Sequence, residues 1–173
     1  MPLDVTEADS ISGAVAQIRQ LASHVDLLVN NAGVAPEVMS VAPPSREALR
    51  DTFATNAEGT IFFTEALLEL LADKGQVVFI TTKMGTPQNA GPNGTAYRVS
   101  KAAINMYAAV LAQRVADRHI RVTPIHPGWV QTRLGGDQAP MTPEQAAEAI
   151  YQGITAPLAS GQFWDGETNS VLA

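Results

Sequence analysis

Cysteine is missing from all 173 residues, which removes disulfides and thiolate metal sites together and suits a reducing compartment. Positive charge is sparse: 11 Lys and Arg against 17 Asp and Glu leave a net charge of −6 and a pI near 4.9. With no basic run of any length, neither a nucleic acid nor an anionic membrane is expected as a partner. No uncharged stretch reaches the ~20 residues that cross a bilayer, and Met1-Pro2-Leu3-Asp4 has neither the basic start nor the apolar core of a signal peptide. A cytoplasmic location is therefore expected. Internal repeats are absent, and His24, His119 and His126 share no metal-ligand spacing, so no metal is expected. What is present is a 46% hydrophobic composition, enough for one domain over residues 1–173 with a core of its own and a small-molecule ligand.

Strand and helix signals alternate along the chain. Leu3-Asp4-Val5-Thr6 reads as a short extended piece, and Ile11, Ala14, Val15, Ile18, Leu21 and Ala22 follow the helical i, i+3, i+4, i+7 pattern. Asp26 to Asn30 is an apolar run bounded by polar residues, expected as a strand buried on both faces. Pro36 to Ser45 is a loop whose last residue can cap a helix. That helix carries Leu49, Phe53, Ala57 and Ile61 on one face and runs to a stop at Lys74-Gly75. Phe62, Phe63 and the leucines after them are expected in the core or in a helix-pair interface. Val77 to Thr82 is a second buried strand, and Gly85 to Gly94 a loop suited to substrate contacts. From Tyr97 to about Arg118 no Pro or Gly intervenes, and Val99, Ala103, Met106, Val110 and Val115 recur at helical intervals. Ile120 to Ile125 follows as a strand, with Pro124 unable to donate a ladder bond. Thr142-Pro143-Glu144-Gln145 opens a last helix with a capping box, and Gln162-Phe163-Trp164 is a candidate final strand. This order predicts an α/β fold with a doubly wound, Rossmann-like parallel sheet.

The chemistry centres on Tyr97 and Lys101, four residues apart on one helix face. A tyrosine starts near pKa 10, and a nearby ammonium favours its phenolate. At about 4.5 Å and an effective dielectric near 20, Coulomb's law gives roughly 3 to 4 kcal/mol, or about 2 to 3 pKa units. The pair is thus expected to bring Tyr97 near neutrality, where it can exchange a proton with a substrate oxygen. In parallel sheets ligands sit beyond the carboxyl ends of the strands, where Asn30 to Gly33, Thr81 to Gly85 and His126 to Thr132 fall.

Asn30-Asn31-Ala32-Gly33 after an apolar run, Asn56 in a helical segment, Tyr97-x-x-x-Lys101 and Pro127-Gly128-Trp129-Val130-Gln131-Thr132 together resemble the short-chain dehydrogenase/reductase family. His-Pro-Gly-Trp-Val followed by Thr-Arg-Leu-Gly-Gly is similar to its small carbonyl-reductase-like members. The resemblance implies an NAD(P)-dependent oxidoreductase that reduces an aldehyde or ketone, or oxidises the alcohol, with Tyr97 as general acid/base. It implies that Thr82 polarises the carbonyl where the family usually has a serine, with Thr81 and Thr86 as alternatives. Lys101 would bond the nicotinamide ribose and tune Tyr97, and Asn56 would hold a water linking Lys101 to solvent. Asn30, Ala32 and Gly33 would pass the adenosine side of the cofactor and Asp4 would touch adenine. Pro127, Gly128, Val130 and Thr132 would contact the nicotinamide end.

Family members open with a strand and a Gly-x-x-x-Gly-x-Gly turn that holds the pyrophosphate. No such turn stands in this sequence, whose first glycine, Gly13, lies in a helical pattern. The resemblance thus implies an N-terminally truncated, partial Rossmann-like domain, short of two strand–helix units at about 30 residues per βαβ unit. The choice between NAD and NADP is then unreadable, and Leu27-Leu28-Val29 is expected at an open sheet edge. A second reading follows: a non-catalytic remnant or interaction module with weak or no cofactor binding. The helices expected over Ser45–Asp73 and Tyr97–Arg118 resemble those through which the family forms homodimers and homotetramers.

Overall fold

Val77, Val78 and Phe79 have no exposed surface, and the rest of the sheet is built around them. The structure is a computed structural model that describes residues 2–172. These three residues form the middle of β2 (Leu71–Ile80), which lies between β1 (Val25–Asn30) and β3 (Arg121–His126), all parallel. Two short strands complete the sheet in the order β1-β2-β3-β4-β5: β4 (Trp164–Asp165) runs parallel to β3, and β5 (Ser170–Val171) turns back antiparallel.

Alternation of side chains along β2 sends Val77 and Phe79 to one face and Val78 to the other. The first face is covered by α1 (Ala8–Leu21), α3 (Thr60–Leu67) and α4 (Thr95–Arg114), through Ile11, Val15, Leu67, Ile104 and Leu111. The second is covered by α5 (Pro143–Thr155), whose Ile150 and Ile154 meet Val78, Ile125 and Trp164. Burying each such side chain contributes about 1.5–3 kcal/mol. The sheet is thus wound with helices on both faces, as the alternation of elements predicts.

Local chemistry sets the helix starts. Ser45 accepts a hydrogen bond from the Ala48 amide at 3.0 Å to open α2 (Arg46–Phe53). Thr142 and Gln145 form the expected capping box on α5. Before α4 stands Gly94 at φ +65°, where a Cβ would lie 2.7 Å from the Val38 carbonyl oxygen. Only glycine accommodates both the backbone angle and the approach.

Several expectations are corrected. The short extended piece expected over Leu3 to Thr6 gives way to a turn at Val5 and Thr6, where Asp4 accepts hydrogen bonds from the Thr6 amide and hydroxyl on the way into α1. The strand β1 is buried on one face only; Leu27 and Val29 are 42% and 39% exposed because α5 does not extend over them. The long helix is interrupted. A π turn over Ala54–Gly59 separates α2 from α3, and a 3-10 turn at Leu68–Leu70 ends it, so β2 starts at Leu71 rather than Val77 and ends at Ile80 rather than Thr82. Helix α4 stops at Arg114, followed by a separate 3-10 turn at Ala116–Arg118. The final strand starts at Trp164 rather than Gln162 and is joined by β5, which the sequence did not announce.

Helix faces also differ from the apolar pattern. On α2–α3 the buried line is Thr52, Asn56, Thr60 and Thr64, while Leu49 and Phe62 are exposed. These polar side chains are short, and two of them bond locally: Thr64 donates to the Thr60 carbonyl and Thr60 to the Thr55 carbonyl across the π turn. Short side chains let α4 approach closely. On α4 itself Ala96, Tyr97, Ser100, Lys101, Ile104 and Ala108 face inward, and Val99, Met106 and Val110 face solvent.

Pro124 sits in the middle of the sheet, opposite Phe79. The Thr81 amide donates to the Ile125 carbonyl, which places the Ile125 peptide groups toward β2. Alternation then turns Pro124 toward β4, which pairs only with Ile125 and His126. No ladder bond is lost there.

Candidate active site

The carboxyl ends of β1, β2 and β3 open onto one cavity of about 740 Å³. Asn31 and Gly33 reach it from β1, Thr81 to Met84 from β2, and His126 to Val130 from β3; Tyr97 and Lys101 enter from α4. Its walls are mainly apolar, with Val38, Met39, Met84, Trp129, Leu134 and Ile150 contributing. A groove of similar volume between α5 and the β4–β5 hairpin, walled by Glu144, Glu148 and Glu167, contains none of the candidate catalytic residues.

The pair on α4 is buried, Tyr97 at 9% and Lys101 at 5% exposure. The Lys101 ammonium donates to the Ile80 carbonyl at 2.9 Å and stands 5.9 Å from the centre of the Tyr97 ring. Burial pushes the Tyr97 phenol up to about 12 and the Lys101 ammonium down to about 8. The expected drop of Tyr97 toward neutrality is therefore not found: desolvation outweighs attraction to an ammonium anchored on the end of β2.

Asn56 lies in the π turn, a local widening in which the ordinary helical bonds are disrupted. Its amide pairs with both backbone groups of Val34, accepting from N and donating to O at 2.8 Å each, and also donates to Ser100 Oγ at 3.1 Å. Asn56 thus ties the loop after β1 to α4, directly beside Lys101. A Cβ on Gly33 would lie 3.5 Å from both Asn56 Oδ1 and Lys101 Nζ, so this loop passes close over the pair.

The three threonines of the β2 exit differ. The Thr81 hydroxyl is bound to Asn105 Oδ1 at 2.7 Å, and the Thr86 hydroxyl donates to the Lys83 carbonyl at 2.8 Å. Thr82, buried and lining the cavity, accepts from the Met84 amide at 3.2 Å and keeps its own proton uncommitted. Of the remaining candidates, Pro127, Gly128, Val130 and Thr132 line the cavity. Asn30, Ala32 and Asp4 do not line it, and the Asp4 carboxylate is engaged by Thr6.

Two features escaped sequence reasoning. Ser100 donates to the Tyr97 carbonyl at 2.8 Å and receives the Asn56 amide, so it joins the two helices behind the site. Lys83, next to Thr82, forms ion pairs with Asp165 and Glu167, and the bond to Glu167 raises its pKa. Glu167 also accepts from the Trp129 amide at 3.2 Å. Eighty-four residues separate Lys83 from Glu167, and no local pattern marks such a pair.

The profile of the family described as "short chain dehydrogenase" matches residues 1–142. Among curated proteins, the chain is similar to "C-signal" of Myxococcus xanthus, 32% identical over 152 residues that span 85% of this chain and 92% of that protein. Of seven further relatives it spans only 41% to 66% of their own length. Among solved structures it is similar to the carbonyl reductase Sniffer of D. melanogaster, with a TM-score of 0.90, 30% identity and coverage of 100% of this chain and 77% of that one. The NADPH-bound carbonyl reductase from chicken fatty liver gives 0.88 at 26% identity, covering 99% and 75%. No helix among the described residues is long and apolar enough to cross a membrane.

Proposed function

The chain belongs to the short chain dehydrogenase family, and on that premise we propose that it is a cytoplasmic NAD(P)-dependent oxidoreductase that reduces small aldehydes or ketones. The observation that carries this reading is the gathering of Thr82, Tyr97 and Lys101 in one apolar cavity at the strand ends. Names of its neighbours support the direction and the cofactor, since the two similar structures are both called carbonyl reductases and one is NADPH-bound.

Bound nicotinamide would supply the hydride. The residues present fit its ribose and ring: Lys101 has two unshared N–H groups beside its bond to Ile80, and Pro127, Gly128, Val130 and Thr132 line the same cavity. Thr82 donates its uncommitted proton to the substrate oxygen and polarises the carbonyl. Tyr97, protonated at neutral pH because burial holds it near 12, gives a proton to the same oxygen as charge develops there. Asn56 and Ser100 hold Lys101 and Tyr97 in register. The exposed Phe62, Val99, Met106 and Val110 of α3 and α4 support pairing of these helices in a homodimer or homotetramer.

Tyr97→Phe and Thr82→Val each abolish or strongly reduce NADPH-dependent carbonyl reduction while leaving the circular dichroism spectrum intact. Undiminished turnover by Tyr97→Phe would sink the mechanism. A second reading, a non-catalytic interaction module, is favoured by one observation: the relative matched over 92% of its length carries the name of a signal. Titration with NADH and NADPH separates the two. Saturable binding between about 1 μM and 1 mM, the usual range for enzyme substrates, supports the oxidoreductase; its absence throughout that range supports the module.

A further inference from the structure

The chain carries a cluster that the proposed reaction does not use as chemistry. His126 at the end of β3, Asp165 in β4 and Glu167 in the β4–β5 turn each present a ligand atom, all within 4.8 Å of one another. His126 is 6% exposed, and neither of its ring nitrogens has a hydrogen-bond partner among the described residues. Its Nε2 points at Glu167 Oε1 from 3.6 Å. An imidazole buried without partners is unfavourable, so its orientation toward two carboxylates calls for an occupant.

We propose that His126, Asp165 and Glu167 form a binding site for a divalent transition-metal ion such as zinc or cobalt. One imidazole with two carboxylates is a donor set for ions of intermediate softness rather than for calcium or magnesium, which take oxygen alone. Ligands at about 2.0–2.2 Å around a tetrahedral ion are about 3.4 Å apart. The His126–Glu167 separation of 3.6 Å already matches this, and the wider limit of 4.8 Å closes by a shift of side chains.

Lys83 is the resident cation of the site. Its ammonium lies 3.6 Å from Asp165 Oδ2 and against Glu167. With His126 neutral, two carboxylates and one ammonium leave a charge of −1, which a second, divalent charge with the lysine displaced brings to zero. The Lys83 side chain is 28% exposed and so has a path to solvent. Metal and lysine therefore compete for the same two carboxylates. Because Glu167 also holds the Trp129 amide, the ion fixes the turn after β3 to the β4–β5 hairpin.

The test is titration of the untagged full chain with cobalt(II) alone, followed by its visible d–d absorption and by equilibrium dialysis. One equivalent is expected to bind with the spectrum of a low-coordinate ion. His126→Asn abolishes that spectrum, and Lys83→Met raises affinity at least about tenfold by removing the competing ammonium. If His126→Asn does not fold, Glu167→Gln keeps the acceptor for Trp129 and should weaken binding instead. A spectrum of the hydrated ion at every ratio overturns the proposal. Binding unchanged in the folded substituted chain does so too. None of these readouts depends on turnover or on nicotinamide binding.

Discussion

Replacing Lys101 by methionine is expected to make the protein more stable at neutral pH. The folded chain holds Lys101 at 5% exposure, and burial lowers its pKa from 10.5 to about 8. At about 1.4 kcal/mol per unit, keeping it charged below pH 8 destabilises the fold by about 3 kcal/mol. Methionine fills a similar volume without the charge, but it leaves the Ile80 carbonyl without its donor, at a cost of about 1 kcal/mol. The net expectation is a gain of about 2 kcal/mol at pH 7. The sign also fixes the pH dependence. A depressed lysine pKa means that the unfolded chain binds a proton the folded chain has released, so this contribution to wild-type stability rises between pH 8 and 10.5. The advantage of Lys101→Met should therefore shrink by about 2 kcal/mol between pH 7 and about pH 9.5. Urea unfolding followed by the fluorescence of Trp129 and Trp164 at both pH values measures it. A variant less stable than wild type at pH 7, or a difference that does not change with pH, refutes the account of Lys101 as a charge held at the expense of the fold.

Asn56→Ala leaves the amide and carbonyl of Val34 unpaired, and thermal unfolding should register a loss of about 2–4 kcal/mol. Gly59→Ala places a Cβ 2.3 Å from the Val5 carbonyl oxygen; because the obstacle is backbone, a destabilisation above about 2 kcal/mol is expected, and normal stability would show that the segment before α1 moves aside freely. Val29→Lys puts a charge on the exposed side of β1, and light scattering should show less self-association than wild type at equal concentration.

Sequence reasoning worked where a signal is local. Ser45, Thr142 and Gln145 cap the helices they were expected to cap, because a cap is a contact within three residues. The convergence of three strand ends was likewise legible, since topology follows from the order of elements. Helix faces were misjudged where hydrophobicity and burial part company: Thr52, Asn56, Thr60 and Thr64 are inside because helix proximity demands small side chains, while Leu49 and Met106 are outside. The direction of the Tyr97 shift also failed, because sequence spacing reports a neighbouring charge but not the desolvation of both partners. The meeting of Lys83 and His126 with Asp165 and Glu167 depends on the β3–β4 pairing, for which only a two-residue strand provides the register.

The two borders of the sheet are unlike. Along β1 the backbone and the side chains of Leu27 and Val29 are open, whereas on the far side Pro124 denies β3 a donor and β4 and β5 are two residues each. Among the described residues, the longer template for a strand added from outside is therefore β1. Molecules that share a single adhesive border can join face to face about a two-fold axis but cannot hand the contact onward. Pairing through the β1 border alone therefore ends at two molecules.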